Sequence, residues 1–151
     1  MEKAIFHHKK AIEICPSDTF HLARYSVLLS YLGKPEDAME QIDKALRINP
    51  FGSDLMFETK GVCAYLLEDY EAAISTFKNM QIETGVSLFY SAACYNHLGK
   101  TELAKDRLGL AKNESGMDID KFVATQLYQS DEISSKLKSN LSSIEEGLML
   151  N

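Results

Sequence analysis

Residues 34–50, with the sequence KPEDAMEQIDKALRINP, decide the fold of this chain. Ala38, Ile42 and Ala45 follow one another at spacings of four and three residues, so all three lie on one face of an α-helix. The proline near the start suits a first helical turn, where its missing N–H is not needed, and the closing proline cannot continue the helix. The stretch therefore predicts an amphipathic helix that is ended by proline.

The first alanine of this helix recurs along the chain together with its surroundings. Equivalent alanines are separated by 34, 35 and 31 residues and stand at Ala4, Ala38, Ala73 and Ala104. A second amphipathic segment precedes each of the last three alanines and ends at a short turn; these segments cover residues 20–32, 55–67 and 86–98. Such a repeat indicates a solenoid of helical hairpins, because one hairpin cannot bury its apolar face alone.

The small residues, turns and closing prolines of this unit resemble those of the tetratricopeptide repeat (TPR) family. The resemblance implies an all-α fold, a right-handed superhelix of antiparallel helix pairs with a C-terminal helical cap. The expected divisions are the second helix of a truncated TPR at 1–16, TPR units at 17–50, 51–84 and 85–114, and divergent capping helices at 117–151. Because the first unit lacks its first helix, we expect the natural protein to extend further toward the N-terminus.

Residues 117–151 depart from the repeat and allow two interpretations. They predict one helix over Asp118–Gln129, with Ile119, Phe122, Val123 and Leu127 on one face, and a second helix that begins near residue 131. A solenoid needs a cap over its last apolar face, and this pair of helices can supply it. The alternative is an autoinhibitory domain, in which the C-terminal helix fills the groove of its own chain.

In a TPR stack the first helix of each hairpin lines a concave groove, and the helical period selects the residues that face it. The selected residues are mostly apolar or aromatic: Phe20, Ala23, Arg24, Val27, Tyr31, Leu55, Glu58, Val62, Tyr65, Val86, Phe89, Ala93 and Asn96. Such a lining favours a protein or peptide partner with an apolar or amphipathic segment. The Lys and Asn of the two-carboxylate clamp that binds acidic chaperone tails are replaced here by Ala23, Val27, Glu58 and Val62. Self-association into a homodimer is the remaining alternative.

The composition argues against several other classes of function. With 16 basic and 22 acidic side chains, the net charge is −6, which disfavours a nucleic-acid or membrane partner. The N-terminus carries no apolar signal segment and the three cysteines are widely spaced, so a cytoplasmic location is expected. His7 and His8 point ~100° apart on a helix and do not share a metal ion. No catalytic or phosphate-binding motif is present, and we expect no enzyme activity, metal or cofactor.

A narrower resemblance rests on whole segments. Residues 38–51, AMEQIDKALRINPF, residues 60–74, KGVCAYLLEDYEAAI, and the closing residues 128–148 are similar to the C-terminal TPR regions of bacterial class III adenylate/guanylate cyclases. The resemblance implies a non-catalytic scaffold, the regulatory C-terminal part of a larger bacterial signalling protein. It does not imply cyclase activity in this chain, because the nucleotide-binding residues of a cyclase lie on a βαβ domain and no strand pattern is present.

Overall fold

The computed structural model describes the backbone of residues 2–149 and the side chains of residues 3–147. Met1, Leu150 and Asn151, which belong to the expected first and last divisions, lie outside the described residues. Within the described range the chain forms nine helices and no strand: α1 (Glu2–Ile14), α2 (Thr19–Tyr31), α3 (Pro35–Ile48), α4 (Asp54–Leu66), α5 (Tyr70–Phe77), α6 (Gly85–His97), α7 (Thr101–Ser115), α8 (Ile119–Thr125) and α9 (Asp131–Met149). None of these helices is long and apolar enough to cross a membrane.

Six of the helices pair into three antiparallel hairpins, α2 with α3, α4 with α5, and α6 with α7. The first helices of successive hairpins also pack side by side, α2 on α4 and α4 on α6, while α3 contacts α4 and α5 contacts α6. The helix α1 packs on α2, at the place of the second helix of a preceding unit. The all-α solenoid predicted from the repeat is confirmed.

Small residues let the two helices of a hairpin approach each other. A Cβ atom added to Gly61 would lie 2.3 Å from Cε1 of Phe77, so the α5 ring lies directly against the α4 backbone. In the hairpin before it, the hydroxyl of Ser26 donates a hydrogen bond of 2.7 Å to the carbonyl of Ala38. The repeated alanines Ala38, Ala73 and Ala104 are fully buried, as close helix packing requires.

Each hairpin turns at a residue in the left-handed region of backbone conformation. This residue is Gly33 in the first hairpin (φ 70°), Glu68 in the second (φ 62°) and Gly99 in the third (φ 68°). In all three turns the next N–H donates to the carbonyl five residues back, at 3.0, 2.9 and 2.9 Å, which is the Schellman ending of an α-helix. Glycine adopts this conformation without strain, whereas the side chain of Glu68 makes it costly.

The link between the second and third hairpins is held by side chains. The carboxylate of Asp54 accepts hydrogen bonds from the N–H groups of Gln81 and Ile82, at 2.7 and 3.1 Å. Thr84 and Ser87 then form a reciprocal capping box at the start of α6. These contacts replace the closing proline of the first two units and fix where α6 begins.

The C-terminal helices complete the core of the last hairpin. The helix α9 packs on α6 and α7 and buries Leu137, Leu141 and Ile144 in the same apolar cluster as α6. The prediction of one helix over residues 118–129 is wrong in extent, because α8 ends at Thr125 and the backbone of the next residue is extended. Leu127, predicted on the apolar face, is 69% exposed.

Candidate functional site

Side chains from the first helices of the hairpins, α2, α4 and α6, line one groove, and the chain's own residues 118–129 lie across part of it. We call residues 118–129 the covering segment. The ring of Phe122 stacks on the ring of Phe89 in α6, with the centroids 4.0 Å apart and the planes 12° from parallel. Both side chains are almost completely buried. The part of the groove that α6 forms is therefore filled by the chain itself.

A tyrosine cluster anchors the non-helical end of the covering segment. The hydroxyl of Tyr90 donates to Oε1 of Gln126 at 3.2 Å and shares a second hydrogen bond with the hydroxyl of Tyr128. The ring of Tyr128 also contacts the ring of Tyr31 in α2, and the N–H of Gln129 donates to the Tyr31 carbonyl at 2.8 Å. These contacts hold the backbone in a non-helical conformation after Thr125.

Burial controls the protonation of this cluster. Loss of solvation raises the pKa of the Tyr90 and Tyr128 hydroxyls well above the usual value. For Tyr128 the hydrogen bond with Tyr90 opposes this effect without reversing it. Both tyrosines therefore stay neutral at physiological pH and remain available as hydrogen-bond donors.

The groove stays open between α2 and α4, on the side of α1. An inner cavity of about 140 Å³ is bounded by the covering segment at Gln126 and by groove residues that include Glu58, Val62 and Val86. An outer cavity of about 270 Å³ adjoins it and extends to His8 and Arg24. The two cavities share the side chains of Val27, Tyr31 and Leu55, which form a continuous apolar floor.

Glu58 brings a carboxylate into the inner cavity. The hydroxyl of Thr84 donates a hydrogen bond to one of its oxygens, Oε2. Burial raises the pKa of the Glu58 carboxyl, the Thr84 hydrogen bond lowers it, and the nearby Asp54 carboxylate adds to the rise. No ion pair links Glu58 to any of the side chains described at residues 3–147. This acidic side chain is therefore largely removed from water without a neutralising cation.

The outer cavity opens at a rim formed by α1 and α2. The guanidinium of Arg24 lies 5.4 Å from the centroid of the Phe20 ring, and Phe20 is 53% exposed. His8 stacks on Tyr25, and burial is the main cause that lowers the pKa of the His8 imidazole. The rim therefore presents one cation, an exposed aromatic ring and an imidazole that is neutral near pH 7.

The sequence-predicted groove residues divide into two groups. Eight lie in or beside the open part of the groove: Phe20, Arg24, Val27, Tyr31, Leu55, Glu58, Val62 and Val86. The other five do not line this open part of the groove: Ala23, Tyr65, Phe89, Ala93 and Asn96. Tyr65 instead lines a separate cavity beside α9.

Contacts with other helices, which the helical period does not reveal, remove these five residues from the open part of the groove. Ala23 is fully buried between α2 and α3 in a cluster with Ile42. Phe89 and Ala93 are fully buried, the former beneath Phe122, and Tyr65 is packed between Tyr70 and Tyr90. The amide of Asn96 is used by α9, donating to the carbonyl of Asn140 at 3.1 Å and to the hydroxyl of Ser143 at 3.0 Å. The C-terminal helices thus occupy the surface that α6 offers.

A second and larger cavity, of about 630 Å³, lies between α9 and the turn of the second hairpin. Its lining includes Glu68, Lys136 and an aromatic wall in which the rings of Tyr70 and His97 stack 4.2 Å apart and 5° from parallel. The repeat pattern does not reveal this cavity, because α9 forms one wall and its packing partner is not encoded in the repeat. Thr84 and Gln126 were also missed, because their hydrogen bonds to Glu58 and Tyr90 join residues 26 and 36 positions apart.

The thiols and acidic groups of this region do not form a reactive or metal site. Cys63 and Cys94 are buried, and loss of solvation raises the pKa of their thiols to about 11 and about 12. Both are therefore protonated at physiological pH and unsuited to nucleophilic attack. In the part of the chain that the structure describes, no three His, Cys, Asp or Glu side chains are placed to hold a metal ion.

Comparisons with known proteins support one repeat unit and show the fold of the chain. Residues 22–51 match the family model described as the tetratricopeptide repeat. The solved structure of MamA is similar, with a TM-score of 0.68 at 16% identity, over 98% of this chain and 90% of MamA. YrrB, described as a TPR protein with an unusual peptide-binding site, has a TM-score of 0.65 at 22% identity, over 92% of this chain and 73% of YrrB.

Proposed function

We propose that this TPR-fold chain is a non-catalytic interaction module that binds a linear peptide segment of a partner protein in the open part of its groove. The observation that carries the proposal is the continuous apolar floor of Val27, Tyr31 and Leu55, which the covering segment leaves free. Leu55 is 37% exposed although it lies on the concave face of the stack. An extended peptide that is anchored by apolar side chains is the ligand that such a floor fits.

The first test selects ligands without assuming their identity. The chain is immobilised and random peptides displayed on phage are selected on it. Leu55→Gln removes the apolar anchor from the floor, and we expect it to weaken the selected peptides about tenfold, the effect of losing roughly 1.4 kcal/mol of apolar burial. Leu110→Gln is the matched control, because Leu110 is an exposed leucine of α7, away from the groove. Equal binding to all three proteins would refute the groove assignment.

A second candidate function is autoinhibition, and the covering segment is the observation that favours it. Its contacts with Phe89, Tyr90 and Tyr31 occupy surface that a longer ligand would otherwise reach. If the segment competes with a ligand, Gln126→Ala should release its end and raise the affinity of the selected peptides. Unchanged affinity would leave the segment with a structural role alone.

We also propose the setting in which the module acts. The resemblance of residues 38–51 and 60–74 to bacterial cyclase C-termini supports a regulatory part of a larger cytoplasmic signalling protein. The gene that encodes the chain is the test: a nucleotide-cyclase domain in the same reading frame supports this setting, and a reading frame without any signalling domain overturns it. The peptide-binding proposal stands independently of that result.

A further inference from the structure

We propose that the partner segment carries a lysine or arginine next to an apolar residue, and that this cationic side chain enters the inner cavity and pairs with Glu58. The inference rests on the proposed function, since it names the chemistry of the ligand for the same groove. The ligand is then a linear segment of another protein, with one basic residue that enters the cavity.

The shape of the inner cavity matches a long side chain with a charged end. Val62 and Val86 are among the apolar residues of its wall, while the carboxylate of Glu58 supplies its acidic point. Its volume of about 140 Å³ equals that of about five water molecules at ~30 Å³ each. Lysine and arginine bury an apolar stem and keep their charge at the tip, so they satisfy both parts of this cavity.

The electrostatics of Glu58 favour a cation in the bound state. Its Oε2 accepts the hydrogen bond from Thr84, whereas its Oε1 accepts none from the described residues. Glu58 is half-buried, and a carboxylate that is partly desolvated without a counter-charge is destabilised, which the raised pKa of Glu58 reflects. A basic side chain of the partner would supply both the missing charge and a donor for Oε1.

The outer cavity determines which type of partner residue can lie next to the basic residue. Leu28 and Leu55 offer it an apolar contact, and His8 beside them is neutral near pH 7. Arg24 at the rim repels a second cation, so the neighbour that points toward α1 is apolar. At the other end Gln126 closes the inner cavity, which limits the recognised stretch to a few residues.

The test repeats the phage selection on three proteins: the unaltered chain, Glu58→Gln and Glu40→Gln. Glutamine at position 58 keeps an oxygen that can accept the Thr84 hydrogen bond, so the start of α6 is preserved while the charge is removed. Glu40 is an exposed glutamate of α3 and serves as the matched control. We expect Lys or Arg beside an apolar residue to be enriched with the unaltered chain and with Glu40→Gln, and to lose that enrichment with Glu58→Gln.

A binding measurement then isolates the pair. One selected peptide is compared, by fluorescence anisotropy, with a copy in which norleucine replaces the basic residue. We expect about a tenfold loss of affinity on the unaltered chain and little change on Glu58→Gln, as for a direct charge-assisted contact. A loss of the same size on both proteins would overturn the pairing with Glu58.

The possible failures are distinguishable. Peptides that depend on Leu55 but show no preference for Lys or Arg would overturn this inference and leave the proposed function intact. Acidic peptides would assign the recognition to Arg24 and overturn it equally. A selection that yields no peptide dependent on Leu55 would overturn both. Thermal unfolding of Glu58→Gln verifies that the variant is folded before it is used.

Discussion

The three hairpin turns allow the strain at one residue to be measured against two internal references. Gly33, Glu68 and Gly99 occupy equivalent positions, with the same hydrogen bond after each and φ between 62° and 70°. Two of the turns use glycine and the middle turn uses glutamate. We therefore expect Glu68→Gly to stabilise the protein and Gly99→Ala to destabilise it, although neither residue is buried.

The magnitude follows from two opposing terms. Relieving a left-handed backbone at a residue with a Cβ is worth about 1–2 kcal/mol. Glycine also gives the unfolded chain more freedom, which costs about 0.5–1 kcal/mol. The net gain expected for Glu68→Gly therefore lies between about 0 and 1.5 kcal/mol, with a midpoint of about 0.75 kcal/mol, or about 1.5–3 °C in Tm for a chain of this length. Gly99→Ala should lose a similar amount, and a Cβ at this site would meet no atom within 4 Å, so backbone strain is the cause.

Urea unfolding followed by circular dichroism measures these changes. Glu68→Ala is the control that separates the carboxylate from the backbone, because it removes the charge and keeps the Cβ. Since Glu68 is exposed and forms no ion pair among the described side chains, this control should change the unfolding free energy by less than about 0.5 kcal/mol. If Glu68→Gly lowered the stability, or Gly99→Ala were neutral, the argument from backbone conformation would be refuted.

Three further predictions use the same unfolding measurement. Gly61→Ala should lower the unfolding free energy by about 1–3 kcal/mol by overpacking the second hairpin. Gly109→Ala, on the open face of α7, should raise it by up to about 1 kcal/mol through helix propensity. Similar effects of the two substitutions would contradict the close packing at Gly61. Burial raises the pKa of Glu58 above 4.5, so its ionisation destabilises the fold as the pH rises through the folded pKa. The unfolding free energy of Glu58→Gln relative to that of the unaltered chain should therefore be higher near pH 7 than at pH below 4.5. A difference that does not change with pH would argue against this. Phe122→Ala should lower the unfolding free energy by about 3–5 kcal/mol, because this side chain is buried. Leu127→Ala should lower it by less than about 0.5 kcal/mol, because Leu127 is 69% exposed. Equal losses would contradict the docking of the covering segment.

The hairpins of the stack were predictable because their determinants are local. The period of Ala38, Ile42 and Ala45 fixes the buried face of α3, and Pro35 and Pro50 bracket it. The glycines at positions 33 and 99 mark two of the three turns. Side chains three and four residues apart share a helix face in any context, so this part of the fold needs no knowledge of neighbouring elements.

The candidate site was only partly predictable, because accessibility depends on what packs against a face. Leu55, Glu58 and Val62, which the helical period selects on α4, line the inner cavity. The same period selects Phe89 and Asn96 on α6, and both are occupied by the C-terminal helices. No local pattern shows that a segment thirty or more residues later in the chain will lie on that surface.

The helical hairpins, their order and their turns can be derived from the sequence, since they follow from helix period, capping and backbone conformation within each unit. How much of the groove is open depends instead on contacts between distant parts of the chain. The contacts of Phe122 with Phe89 and of Gln126 with Tyr90 join residues more than thirty positions apart. They close the groove beside Phe89 and leave the carboxylate of Glu58 in a small cavity without an ion-pair partner among the described side chains, because long-range burial, unlike helix formation, is set by the whole chain.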